Sequence, residues 1–199
     1  SLQEAVDCVE VYINEMGLKL SPAKSELLLY RPTRRGPKPK NWQPLADIDI
    51  RLHTTIVQHI LRVDFIRVLG MIIEANGQNG RTIDRLTSKA EGVIRLISRI
   101  SNSRGGLREH NLLRLFHAFL MSHISYVASM HRWQLHERNK LNILIRKSIK
   151  KVLGIPMRTS TENLMKLGVH NTLEEVIEAQ QTAQVARLSI TPAGRKILV

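Results

Sequence analysis

The sequence changes character at residues 81–100, which read RTIDRLTSKAEGVIRLISRI. Apolar residues recur there every three or four positions, a spacing that places them on one face of an α-helix. These residues are Ile83, Leu86, Ala90, Val93, Ile94, Ile97 and Ile100. The stretch therefore predicts a long amphipathic helix, which ends before Gly105 and Gly106.

The same helical period continues towards the C-terminus. It predicts helices near residues 112–120 and 141–152, the second of them closed by Gly154 and Pro156. A short helix near residues 162–167 stops at Gly168, and a Thr-x-x-Glu capping box at Thr172 opens a last helix that runs to about residue 188. The C-terminal part of the chain is thus predicted to be helical.

Upstream of residue 81 the pattern is mixed. Residues 2–16 show helical spacing before a glycine, whereas residues 26–30, 48–52 and 65–73 are strand-like. Residues 31–44 contain four prolines and five basic residues, which predicts an exposed basic loop. The whole chain is predicted to be α+β, with a small β-containing part followed by a mainly α-helical part.

Composition limits the classes of function. The 199 residues include 30 basic and 17 acidic ones, a net charge of +13, and residues 31–150 hold 22 of the basic and 8 of the acidic residues. A basic central region indicates a polyanionic partner, most often nucleic acid. Cys8 is the single cysteine, so a disulfide framework and a cysteine zinc site are excluded.

Targeting signals are not evident in the sequence. The longest uncharged run, residues 115–130, is too short and too polar for a membrane span, and the N-terminus does not resemble a secretory signal. We therefore expect an intracellular protein without a membrane partner. The chain begins without Met, which suggests a fragment.

The basic residues of the helical part predict a nucleic-acid-binding surface. Arg81, Arg85 and Lys89 are four residues apart, as are Arg95 and Arg99, and such a stripe can follow phosphates without reading base sequence. The predicted surface also includes Arg146, Lys147 and Lys150, among a wider basic set that adds Arg104, Arg108, Arg138, Lys140 and Lys151. Trp133, beside His131 and Arg132, either stacks on a base or packs half-buried.

The acidic residues and histidines do not form a recognisable catalytic or metal-binding pattern. Asp47 and Asp49 are spaced for one face of a strand, but a solvated strand face explains them better than a metal site, and the same holds for Asp7 on its helix. The histidines lack zinc-ligand spacing with cysteines: His110, His117, His123, His131 and His136. No metal site is predicted.

Several short motifs of the chain resemble those of a known protein family. Gly17, Leu18, Leu20, Ser21, Lys24 and Ser25 lie between a helix and a strand, and they resemble motif D of the reverse transcriptases of non-LTR (LINE-like) retrotransposons. Residues 2–5 look like the helix that follows that family's catalytic strand. Residues 65–70, FIRVLG, are similar to its primer-grip signature. The helical remainder resembles the thumb and connection of arthropod (tick-type) elements, in the stretches 122–126, 153–156 and 167–169.

The resemblance implies a C-terminal palm remnant at residues 1–75, a helical thumb at 76–155 and a helical connection at 156–199. The parent enzyme would be an RNA-directed DNA polymerase that uses Mg²⁺ held by aspartates, and nothing in this chain matches those aspartates. The chain alone is therefore predicted to be inactive and without a cofactor. Its implied partners are an RNA/DNA primer–template and the upstream palm and fingers of the same polyprotein, in the nucleus or cytoplasm.

The resemblance also implies roles for single residues. Lys24 would be a general acid near the leaving pyrophosphate in the parent enzyme. Arg67, Leu69 and Gly70 would grip the primer end.

Two alternatives stay open: a stand-alone basic RNA/DNA-binding helical module without catalysis, and a protein-interaction helical domain whose charge is incidental. The polymerase-fragment hypothesis differs from both because it predicts exposed apolar surface where further palm strands pack.

Overall fold

The computed structural model describes residues 1–31, 50–52, 58–59, 61–101, 106–168 and 172–197. The chain divides into two compact units, Ser1–Gln78 and Asn79–Val199. In their described residues the first unit contains one helix and short strands and the second is helical, which confirms the predicted α+β class. The assignment of palm, thumb and connection regions stays a prediction.

The described residues of the first unit form helix α1 and six short strands. Helix α1 spans Leu2–Glu15, and a 3₁₀ turn follows at Pro22–Lys24. The strands are β1 Glu26–Leu28, β2 Arg51–Leu52, β3 Gln58–His59, β4 Leu61–Val63, β5 Phe65–Val68 and β6 Met71–Glu74. Strands β1 and β4 pair in parallel, whereas β2–β3 and β5–β6 are antiparallel pairs.

Helix α1 ends as its sequence predicts. Gly17 adopts a φ of 76° and donates its N–H to the carbonyl of Asn14 at 2.9 Å, while Leu18 N–H bonds the carbonyl of Ile13 at 3.0 Å. These two bonds form a Schellman motif, which needs a left-handed residue after the helix and so favours glycine. Gln3 fixes the helix to β2, because its side-chain amide bonds both the N–H and the carbonyl of Arg51.

The predicted strand at residues 65–73 is instead a hairpin. Leu69 (φ 50°) and Gly70 (φ 87°) connect β5 to β6, and Val68 pairs with Met71 across the two-residue loop. Two consecutive residues with positive φ are typical of a type I′ turn, whose twist suits antiparallel strands. The prediction of a single strand was wrong because apolar residues continue through the turn, where Gly70 reverses the chain.

The second unit is built from seven helices in its described residues. Their bounds are α2 Gly80–Ile100, α3 Glu109–Phe116, α4 Ser122–Ala128, α5 Leu135–Val152, α6 Thr161–Lys166, α7 Leu173–Ile190 and α8 Pro192–Ile197. Helices α2, α3 and α4 pack with α5 or α7 around an apolar core. Its fully buried members include Ala90, Phe116, Leu120, Ile124, Leu141, Ile145, Ile149, Leu164 and Leu173.

A π-helical turn, His117–Met121, joins α3 to α4 without a break. Leu112, Phe116, Leu120 and Ile124 are all buried and recur every four residues. An α-helix has only about 3.6 residues per turn, so this spacing would rotate away from the core. The wider turn offsets that rotation and keeps the four side chains on one face.

Glu137 joins the beginnings of α2 and α5. Its carboxylate is buried and accepts hydrogen bonds from the backbone N–H and the side-chain amide of Asn79, both at 2.9 Å, and from the N–H of Gln134 at 2.8 Å. Burial raises the pKa of this carboxyl, but the hydrogen bonds from Gln134 and Asn79 outweigh burial and hold the pKa below its ordinary value. The charged carboxylate therefore fixes the two helices side by side.

Candidate nucleic-acid interface

The basic residues of α2 lie on one side of the helix. At about 100° per residue, Arg81, Arg85, Lys89, Arg95 and Arg99 fall within an arc of roughly 120°. All are exposed except the half-buried Arg85. We call these five residues the α2 basic arc. The apolar face that packs in the core (Leu86, Ala90 and Ile97) lies beside the arc, so burial of that face fixes the outward direction of the cations.

The acidic residues of α2 lie just outside this arc on its groove side: at about 100° per residue, Asp84 is roughly 20° and Glu91 roughly 40° beyond Arg95. Asp84 and Glu91 line an open groove of about 430 Å³ between α2 and α5. The same groove is lined on the α5 side by Lys140, Lys147 and Lys151. The sequence predicted one basic surface over both helices. The structure instead gives α2 a face free of acidic residues, and places the lysines of α5 across a groove from two carboxylates.

The three predicted binding residues of α5 lie in different environments. Lys147 is exposed in the groove, and Arg146 is half-buried on another side of the helix. Lys150 is buried, and its ammonium donates to the carbonyls of Met157 at 3.1 Å and Thr159 at 2.6 Å. Its charge thus stabilises the loop after α5, and we leave Lys150 out of the interface proposed below.

Replacing Lys150 by methionine is expected to lower the free energy of unfolding by about 2 kcal/mol, since two loop carbonyls lose a charged donor. Urea unfolding followed by circular dichroism measures this change. The affinity for nucleic acid should stay within about twofold if no phosphate contact is lost. A stable variant with much weaker binding would contradict this role and return Lys150 to the interface.

Trp133 is part of the core. Its side chain is 4% exposed, and its indole N–H donates to the carbonyl of Ala128 at 2.9 Å. Of the two roles predicted for Trp133, packing is therefore the one that the structure shows. Base stacking by this residue would require the end of α4 to open. Its neighbour His131 packs against the indole ring at a centroid distance of 5.3 Å.

The predicted site residues of the first unit lie in two turns. Lys24 is exposed at the end of the 3₁₀ turn, which is closed by a bond from the Ser25 hydroxyl to the carbonyl of Ser21 at 2.9 Å. Leu69 and Gly70 form the hairpin tip, and Arg67 is exposed on β5 near that tip. Leu69 is 83% exposed in a left-handed conformation that a leucine adopts at a cost. An exposed, strained tip is common at ligand-binding turns.

The structure offers no metal centre among its described residues. No three His, Cys, Asp or Glu side chains lie close enough together there to hold an ion. Asp47 and Asp49 lie outside the described residues. Asp7 accepts a hydrogen bond from the amide of Gln3 at 2.6 Å, beside the link to β2. Its carboxylate thus contributes to the packing of α1.

One face of α1 is apolar and exposed. Leu2, Val9, Tyr12 and Met16 are each between 52% and 64% exposed, and their spacing of three, four and seven residues aligns them along the helix. Among the described residues, β1 pairs only with β4, in parallel. Parallel strands occur almost only in larger, covered sheets. Both features are expected of a unit that packs on further protein.

Comparisons with known proteins give no relative for this chain: no family model, curated protein or solved structure matches it. Within the described part of the chain, none of the helices has both the length and the apolarity needed to cross a membrane.

Sequence reasoning missed Asn79 and Glu137, which position the α2 basic arc. The only available signal was local, since Gln134 and Glu137 have capping-box spacing at the start of α5. The other partner of Glu137 is Asn79, which lies 58 positions away along the chain, and no local pattern indicates that contact.

Proposed function

We propose that the helical unit binds the backbone of a nucleic acid through the α2 basic arc. The observation that carries this proposal is the arrangement of five cations on one face of α2, with both acidic residues of the helix turned to the groove. Phosphates are attracted by such a face at any base sequence. The arc extends for roughly 27 Å at about 1.5 Å per residue, which is long enough to follow several phosphates.

The nucleic acid that we propose is an RNA/DNA primer–template. This part of the proposal rests on the resemblance of residues 17–25 and 65–70 to a retrotransposon reverse transcriptase. The exposed hairpin tip at Leu69 and Gly70 supports a primer contact, and Lys24, the lysine of the motif D resemblance, is exposed at the end of its 3₁₀ turn. In this proposal the parent enzyme works in the nucleus or cytoplasm with Mg²⁺, and this chain alone holds primer–template without catalysing polymerisation.

The first unit favours a polymerase part over a stand-alone module. The apolar face of α1 and the parallel pair β1–β4 both call for additional protein to cover them. A stand-alone binding module would have no reason to expose Tyr12 and Met16. The upstream palm and fingers of the same polyprotein are the covering partners that we propose.

The salt dependence of binding tests the proposed function. If five cations contact phosphates of an RNA–DNA duplex, the logarithm of the association constant should fall with the logarithm of salt concentration at a slope of about −4.5. Fluorescence anisotropy with a labelled duplex of about 20 base pairs measures this slope between roughly 50 and 200 mM NaCl. Absence of binding at the lowest salt, or a slope shallower than about −1, would overturn the proposal.

A further inference from the structure

The groove between α2 and α5 has an apolar floor and charged walls. Ile83, Ile94, Ile143 and Leu144 contribute to the floor, and Ile143 is 42% exposed. Along each helix the lining extends over 12 residues, or 11 steps, from Ile83 to Ile94 and from Lys140 to Lys151. At about 1.5 Å per residue, the groove is roughly 16 Å long, which equals about three turns of a helix laid along it.

The two walls carry opposite charges that do not neutralise one another. Asp84 and Glu91 are seven residues apart on α2, and Lys140 and Lys147 are seven residues apart on α5. None of these four side chains, nor that of Lys151, forms an ion pair with another described residue. Each wall thus presents charge that a partner side chain can pair with.

We propose that this groove binds an amphipathic helix of a partner protein. The partner helix has an apolar face towards the floor, acidic residues along the edge next to Lys140, Lys147 and Lys151, and basic residues along the edge next to Asp84 and Glu91. Helices commonly bind in this way, with apolar anchors at helical spacing in a groove. Charged edges then select the partner and its orientation.

Nucleic acid fits the groove less well than a helix does. A phosphate backbone against the lysines would lie beside Asp84 and Glu91, and repulsion between like charges would oppose it. The apolar floor offers phosphates no partner, whereas burial of apolar side chains stabilises a bound helix. The groove is therefore a second binding site, separate from the α2 basic arc around the same helix.

The test uses the full chain and two synthetic helical peptides, each constrained by a staple on its outward face. Both have leucines towards the floor. The mixed-edge peptide has Glu along one edge and Lys along the other, whereas the lysine-edge peptide has Lys along both. The wild-type chain is expected to bind the mixed-edge peptide about tenfold more tightly, because the lysine wall repels the other peptide.

Two double variants with the same change in net charge separate local from overall charge. K140E/K147E turns the lysine wall acidic, so its preference should reverse towards the lysine-edge peptide. R81E/R85E changes the α2 basic arc, so it should keep the preference of the wild-type chain. A reversal in K140E/K147E but not in R81E/R85E would locate the peptide in the groove. Binding of the lysine-edge peptide would also show that K140E/K147E is folded.

A third variant tests the floor. I143D places a carboxylate at an exposed floor position and should weaken binding of the mixed-edge peptide at least tenfold, with an unchanged circular dichroism spectrum. Failure of the wild-type chain to bind the mixed-edge peptide would overturn the proposal. Equal effects of the two double variants on peptide preference would also overturn it. So would a loss of duplex binding in K140E/K147E as large as that in R81E/R85E, since the groove would then belong to the nucleic-acid surface.

Discussion

Replacement of Glu137 by alanine is expected to lower the free energy of unfolding of the helical unit by about 3 kcal/mol. The change removes a buried carboxylate and leaves the N–H of Gln134 and the N–H of Asn79 without their acceptor, while the Asn79 amide keeps its bond to the carbonyl of Arg132. The polar connection between the starts of α2 and α5 is then reduced to the bond from Asn79 to Arg132, so the position of the α2 basic arc should be less well fixed.

Urea unfolding measured by the fluorescence of Trp133 reports on this unit, because W42F leaves Trp133 as the only tryptophan. The matched control is Glu178→Ala, which removes an exposed carboxylate of α7 and should change stability by less than about 0.5 kcal/mol. Equal stability of the two alanine variants would contradict the role assigned to Glu137.

The contribution of Glu137 should depend on pH in a defined direction. Its pKa is lower in the folded chain than in the unfolded chain, so the stabilisation is present above the unfolded pKa and is lost as the pH falls through the folded pKa. The difference in unfolding free energy between wild-type and E137Q should therefore be largest near neutral pH and shrink in acid. A difference that grows on acidification would show that the charged form is not the stabilising one.

The second large effect concerns binding. Replacing Arg81, Arg85 and Lys89 by glutamine should weaken binding to an RNA–DNA duplex roughly 100-fold at moderate salt, taking about 1 kcal/mol for each lost phosphate contact. The salt slope should become shallower by about 2.7, because each contact contributes about 0.9. Anisotropy titrations over a series of salt concentrations measure both quantities.

The chain provides a matched control for this variant. Glutamines at Lys140, Lys147 and Lys151 remove the same number of charges from the groove, beside Asp84 and Glu91. Their effect on duplex affinity should be less than about fivefold if the bound phosphates lie along α2. Equal losses in the two triple variants would mean that overall charge, and not the α2 basic arc, controls binding.

The sequence predicted the helices because the features that define them are local. The period of residues 81–100 gives α2, and the capping box that begins at Thr172 is present, with Glu175 N–H donating to the Thr172 hydroxyl and Thr172 N–H to the Glu175 carboxylate. Such patterns depend on residues within about one turn of each other. A composition rich in basic residues likewise predicts a polyanionic partner, although it does not say which cations face outwards.

The tertiary structure decided which of the basic and aromatic residues are exposed to a binding partner. Lys147 and Lys150 are three residues apart in α5, yet Lys147 lines a groove and Lys150 is buried against carbonyls of the following loop. Trp133 is likewise buried, with its indole N–H on the carbonyl of Ala128. The sequence by itself therefore determined where the helices lie and the sign of their charge. Only packing between segments distant in the chain decided which charges face solvent, because burial depends on neighbours that no local pattern names.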